Sequence, residues 1–276
     1  MGETKGMNPM YSDEIPNALR TRHVQTQIAR VVSFDEQAQV AAARDEMSRF
    51  AFDYAPVTHS GDICGFVCHS DLAIAAGSVR DQVRPLTASR LIAGDTPLVA
   101  LMDALTRAAF LFVVEGTHIG GVVTPSDLNK QPGRTYFYML VAALEMNLAE
   151  RARAFFPRQE EALALLSDGR RAGIQQRLES EARDDVLSDT VAAMDLTDLL
   201  TLVEKTDELR SVFGAYSRNR WANEVSKPVI NLRHDVMHTV RTLANDAPSS
   251  LERLTALDEL LRGLLAVEER PDTPDQ

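Results

Sequence analysis

The stretch Arg233-His234-Asp235-Val236-Met237-His238 sets an arginine, two histidines and a carboxylate side by side, with Val-Ile-Asn-Leu before it and Thr-Val-Arg-Thr-Leu after it. Histidine can carry protons near neutral pH, and a guanidinium can stabilise charge that develops on a phosphate. The spacing of Val229, Leu232, Val236, Val240 and Leu243 predicts an amphipathic helix over Val229–Leu243. Ser226 is expected to cap that helix and Pro228 to sit in its first turn, with Arg233, His234 and His238 off the buried stripe. Around the motif, Arg210, Arg218, Arg220, Lys227, Arg233 and Arg241 face only Glu224 and Asp235 in sequence, a local basic island that could track a phosphate backbone. Arg218, Arg220, Lys227 and Arg241 are the candidate contacts to such a backbone, RNA included. A metal reading stands beside this one, because His234 and His238 share a helix face at the i, i+4 spacing used by zinc. Asp235 then stands where a zinc hydrolase has Glu, and Asp258 or Glu259 would have to supply a third ligand.

These residues belong to a chain of 276 with a formal net charge of −11, which disfavours a surface coated throughout with nucleic acid or an anionic membrane. Its length suits two domains. The two cysteines, Cys64 and Cys68, lie in one apparent strand, where both would share a face ~13 Å apart, too far to pair. No apolar run approaches the ~18 residues of a membrane span, so a soluble cytoplasmic protein with reduced thiols is expected. Residues 1 to 18 and the tail from Arg270 to Gln276 lack periodicity and are expected to be loose. Near Gln131-Pro132-Gly133 the pattern changes from short apolar runs with turn residues to long stretches of helical period, which marks a domain boundary.

Ahead of that boundary lies an internal repeat, roughly 56 residues long. One copy runs Tyr54-Ala-Pro-Val-Thr, a turn at Ser60-Gly-Asp, then Gly65-Phe-Val-Cys-His-Ser-Asp71-Leu. The other runs Phe110-Leu-Phe-Val-Val, a turn at Glu115-Gly-Thr, then Gly121-Val-Val-Thr124-Pro-Ser-Asp127-Leu. Each reads as strand, turn, strand and the capped start of a helix, preceded by an amphipathic helix at about Glu36–Phe50 or Pro97–Ala108.

This repeat resembles a tandem pair of CBS domains, the Bateman module, over about residues 19–132. The resemblance implies an α+β fold of two βαββα units that binds an adenine nucleotide, ATP, ADP or AMP, as a regulatory ligand. In the family's signature a hydroxyl contacts phosphate and an Asp contacts ribose, and Thr124 and Asp127 match it in the second copy. Ser126 neighbours them, and Asp71 matches in the first copy, where Cys68 replaces the hydroxyl. The second-copy site is therefore the favoured one. The alternative for Ser-Asp-Leu is a helix N-cap, a role both residue types prefer.

Past the boundary, Tyr136-Phe-Tyr-Met-Leu-Val-Ala-Ala-Leu opens a broad apolar stripe. Further helices are expected at Arg158–Leu166, Ile174–Asp184, Asp195–Glu204, Glu208–Tyr216 and Ser250–Glu268, making residues 133–270 an all-α bundle. An Arg-x4-His motif on a helix late in an all-α domain resembles the HEPN nucleases. That resemblance implies a homodimeric endoribonuclease needing no metal cofactor, in which His238 moves protons, Arg233 stabilises phosphate charge and His234 fills the polar slot between them. Its products would carry 2′,3′-cyclic phosphates. The sequence thus suggests a nucleotide-regulated ribonuclease, or else a non-catalytic nucleotide sensor whose helical part mediates dimerisation or partner binding.

Overall fold

The computed structural model describes residues 19–184 and 189–267, so both expected loose ends and the last positions of the helical region lie outside the described residues. The described chain divides into two compact units: residues 19–132 together with 244–251, and the remainder from Gly133 onward.

The first unit holds two four-stranded sheets. In the first, β2 (Phe34–Asp35) leads through α1 (Val40–Phe50) to β3 (Tyr54–His59) and β4 (Asp62–Cys68). In the second, β6 (Leu91–Ala93) leads through α2 (Leu98–Thr106) to β7 (Leu111–Glu115) and β8 (His118–Val123). The pairings correspond: β2 with β3 and β6 with β7 are parallel, while β3 with β4 and β7 with β8 are antiparallel hairpins. Both hairpins carry a bulge at the same place, where Cys64 and Gly120 have no cross-strand partner. The bulge breaks the period-two alternation that the cysteines were expected to follow. Cys64 is accordingly exposed and Cys68 buried, and both are free thiols.

Each sheet is completed by a strand from outside its own repeat. β5 (Arg84–Pro85), on the approach to the second copy, pairs with β4 of the first. β1 (Thr26–Gln27), on the approach to the first copy, pairs with β8 of the second. The glycine that leads the signature strand exists for this exchange. A Cβ on Gly65 would lie 2.4 Å from the Arg84 carbonyl oxygen, and one on Gly121 would lie 2.7 Å from that of Thr26. The helix expected after each signature is a single turn, His69–Leu72 in one copy and a 3₁₀ turn, Pro125–Asn129, in the other.

One face of the first sheet packs on α1 through Ala55, Val57, Val67, Val40, Ala43 and Met47. The alternate residues of β4, Phe66 and Cys68, turn to the other face and meet Phe110 and Phe112 of the second copy. Phe66, Phe110 and Phe112 sit edge-to-face or tilted at 5.1 to 6.3 Å, favoured geometries for aromatic rings.

The second unit is helical: α3 (Gln131–Phe155), α4 (Asp168–Arg183), α5 (Leu196–Lys205), α6 (Lys227–Met237) and α7 (Pro248–Leu265), with shorter turns between. α3 buries Phe137, Leu140, Leu144 and Leu148 at helical spacing, and Trp221 is fully buried with its indole N–H donating to the Leu200 carbonyl at 3.2 Å. Tyr136 donates to the fully buried Asp258 at 2.5 Å, and Arg262 pairs with the same carboxylate at 2.8 Å. Burial and the adjacent Asp258 charge push the Tyr136 phenol well above its ordinary range, so it stays a donor.

α6 departs from expectation at both ends. Ser226 does not cap it: its backbone is helical and the chain arrives from Arg218 through a π-helical stretch, Trp221–Ser226. Pro228 explains the stretch, since a proline inside a helix removes a donor and crowds the carbonyl four residues back, and the wider π turn accommodates it. At the other end the helix stops at Met237, and His238 takes an extended conformation with φ −100 and ψ 97. Val240, expected on the buried stripe, is 94% exposed, whereas Leu243 is buried from outside the helix.

Gly65→Ala is expected to lower stability by about 1–3 kcal/mol, because its methyl group meets backbone that cannot rotate away. Gly61→Ala, where no atom lies near but φ is +92, tests the other kind of glycine and should cost about 1 kcal/mol. Chemical denaturation of both variants reads the difference.

Candidate functional site

In the helical unit, α6 and the residues after it carry the Arg/His motif. His234 and His238 are exposed and their rings lie nearly parallel, 6.2 Å apart between centroids. His238 donates its backbone N–H to the His234 carbonyl at 3.1 Å, which folds the second histidine back beside the first. Arg233 is half-buried, and no hydrogen bond or ion pair joins it to either histidine among the described residues. Its electrostatic partner is Glu145 on α3, whose carboxyl is pushed up by burial and pulled down less strongly by Arg233. The structure therefore brings the two histidines together, while Arg233 acts on Glu145 through charge alone.

The end of α6 is held by one side chain. Arg134, on α3 and 5% exposed, donates to the carbonyls of Asp235 at 2.6 Å, of Val236 and His238 at 3.4 Å, and of Arg241. A helix leaves its last carbonyls without intrahelical partners, and a cation among them answers both their hydrogen-bonding need and the negative end of the helix dipole. This is why the helix stops where it does although the apolar pattern runs on.

The basic island is largely paired in the folded chain. Arg210 is buried on the Tyr216 and Glu204 carbonyls and on Asp207. Arg218 pairs with Glu204 at 3.2 Å, Arg220 with Glu224 at 2.8 Å and Arg241 with Asp235 at 3.3 Å. Of the candidate RNA contacts only Lys227 has no ion pair among the described residues. Such exposed pairs are each worth at most about 1 kcal/mol, but they cancel the field that would attract a polyanion. Among the described residues no three His, Cys, Asp or Glu side chains are grouped to hold a metal ion. Asp258, named as a third ligand beside the two histidines, is committed to Tyr136 and Arg262.

In the first unit the signature carboxylates are occupied by the protein itself. Asp127 is 8% exposed; its Oδ1 accepts from the Thr26 hydroxyl at 3.0 Å and pairs with Lys130 at 2.7 Å. Its Oδ2 accepts from the backbone N–H of Thr124 at 2.7 Å and the Thr124 hydroxyl at 3.2 Å. A carboxylate has about four acceptor positions, and all are taken. Lys130 uses its remaining donors on the Val24 carbonyl at 2.7 Å and the Thr26 hydroxyl at 2.9 Å. Asp127 is thus a capping-box residue that ties β1 to the signature turn. Asp71 is held bidentately by Arg84 at 2.8 and 3.0 Å, which fixes β5 in the same way. Ser126 donates to Asp246 at 2.9 Å.

Beside these residues lies a cleft of ≈ 200 Å³. Ala51, Phe52, Asp53, Tyr54, Ala55 and Pro56 of the first copy line it, with Ala109, Phe110, Val122 and Thr124 of the second. Val31 and Asp246 complete the wall. Phe52 and Tyr54 are 38% and 37% exposed, and Tyr54 lies 4.8 Å from Phe110, so the opening is aromatic. Of the residues proposed from sequence for a nucleotide, only Thr124 reaches this cleft. The aromatic wall was missed because Tyr54 and Phe110 read as strand residues, although both precede the hairpin at equivalent points of the two copies.

No known family's sequence profile matches the chain, and no curated protein is significantly similar to it. Among solved structures, the CBS domain of the bacterial CNNM/CorC family Mg2+ transporter in complex with ATP is 18% identical, covering 43% of this chain and 90% of that one, with a TM-score of 0.37. CBSX2 in complex with AMP is 17% identical, covering 39% and 91%, with a TM-score of 0.35. CBS domains of a transcriptional regulator from Streptococcus pneumoniae are 16% identical, covering 40% and 95%, with a TM-score of 0.36. These neighbours are CBS-domain proteins. Among the described residues no helix is long and apolar enough to cross a membrane.

Arg134→Met should lower stability by about 3 kcal/mol, the scale of lost hydrogen bonds to a buried charge. Hydrogen exchange should show faster amides over 235–241 in that variant. Unchanged exchange there would mean that α6 ends for another reason. Asp127→Ala should lower the melting temperature in the absence of any ligand, since it removes a capping box and leaves Lys130 half-buried without its carboxylate.

Proposed function

We propose that residues 19–132 are a CBS pair that binds an adenine-type nucleotide, and that the helical region from Gly133 is the output end of this sensor. The observation that carries the reading is the aromatic cleft formed by equivalent segments of the two copies, Tyr54–Pro56 from one and Phe110 with Thr124 from the other. A flat aromatic wall accepts a purine by stacking, and strand backbone beside Ala55 and Pro56 offers polar groups to its edge. The Thr124 hydroxyl, already near Asp127, is the group that would meet the sugar or phosphate.

A second reading, a homodimeric endoribonuclease needing no metal cofactor, is favoured by the exposed His234/His238 pair beside Arg233. One imidazole could take the 2′-hydroxyl proton while the other, protonated, supports the phosphate or the leaving group. Arg233, which makes no hydrogen bond or ion pair with either histidine among the described residues, would have to join them, and two chains would have to bring two such motifs together. The sensor reading therefore stands first, with the helical region dimerising or binding a protein partner. Localisation in the cytoplasm belongs with both readings.

Calorimetry with AMP, ADP and ATP tests the sensor: micromolar to submillimolar binding is expected, and Tyr54→Ala should weaken it about tenfold or more through lost stacking. Absence of binding at millimolar nucleotide would overturn it. Incubation with a mixed RNA pool in EDTA tests the second reading. Fragments ending in 2′,3′-cyclic phosphate, lost in His238→Ala, would establish cleavage, and intact RNA under all nucleotide conditions would leave the helical region non-catalytic.

A further inference from the structure

The cleft is bounded by a segment from far along the chain. Residues 244–251 group with the first unit rather than with the helices that flank them in sequence. They are fastened to the signature turn by three hydrogen bonds. Asn129 donates to the Ala244 carbonyl at 2.5 Å and accepts from the Ala244 N–H at 3.3 Å, and Ser126 donates to Asp246 at 2.9 Å. Asp246 also lines the cleft, near Thr124. Asp53 is the other acidic lining residue, and neither Lys nor Arg is among the twelve. Lys130, the cation nearest in sequence to the signature, has its three donors engaged elsewhere.

We propose that Asp246 is a specificity-determining residue of the cleft, a fixed intramolecular anion that selects against ligands in proportion to their phosphate charge. This rests on the nucleotide reading above. The Asp246 carboxylate is held against Ser126, two residues past Thr124 on the signature turn, so a phosphate arriving at Thr124 meets a like charge, while the Arg90 guanidinium is engaged at Phe110, 5.0 Å over its ring and donating to its carbonyl at 3.3 Å. Asp246 is exposed, so water screens its charge, yet repulsion between like charges a few ångströms apart still reorders ligands that share one base and differ in phosphate charge. Adenosine is favoured over AMP, and AMP over ATP. A phosphate that does bind must push Asp246 off Ser126 and loosen the 244–251 segment, so the same contact reports occupancy.

The test is calorimetry of the full chain with adenosine, AMP and ATP in buffer without divalent cations, comparing wild type with Asp246→Asn. Asparagine keeps an acceptor for Ser126 and removes only the charge. ATP affinity should rise about tenfold or more, AMP affinity less, and adenosine affinity should stay within about twofold. Hydrogen exchange over 244–251 should quicken when AMP binds the wild type. Equal changes for all three ligands, or none, would overturn the role of Asp246 while leaving the nucleotide cleft standing. Failure of all three to bind either chain at millimolar concentration would overturn the cleft reading and this proposal with it.

Discussion

The exchange of edge strands between the two repeats is the constraint on which the first unit depends. β1 and β5 are each only two residues long, yet each closes the sheet of the copy it does not precede. A sheet missing that strand would leave the backbone of β4 or β8 unpaired along one side. The exchange fixes much else: the glycines at 65 and 121, the Arg84–Asp71 and Lys130–Asp127 pairs that hold the short strands, and the aromatic cluster between the sheets. The carboxylates that close the signature motif do structural work here, and the cleft beside them is left to aromatic and backbone groups.

Much of this was legible in the sequence because it is periodic. The repeat, its hairpins, the helices ahead of them and the change of pattern near Pro132 all follow from spacing that local conformation imposes. The exchanged strands were not legible, since two residues carry no period and their pairing depends on contacts far along the chain. The same limit applies to charge. Arg218 is unopposed by its sequence neighbours because its partner, Glu204, stands fourteen residues away. Pro228 was read as the opening of a helix, where prolines are common, but it lies within a longer helical run that widens to take it. The apolar pattern through Val240 and Leu243 continued past the true helix end, because Arg134 decides that end and stands about a hundred positions earlier.

The motif that first draws attention is thereby divided. The helix face and the returning chain bring His234 and His238 beside each other, while the half-buried Arg233 makes no hydrogen bond or ion pair with either among the described residues. Asp246 illustrates the opposite case, a residue with no motif around it that reaches the cleft because Asn129 holds the neighbouring backbone.

The strand exchange also bears on how such a module could arise. A single repeat carrying its leading strand would leave an edge of its own sheet open, and two separate copies could close both sheets only by trading strands. Joining two copies in one polypeptide turns that association into an intramolecular event, independent of protein concentration. It also frees each half to diverge, as Cys68 and Thr124 have done at corresponding positions, because neither must any longer match a copy of itself.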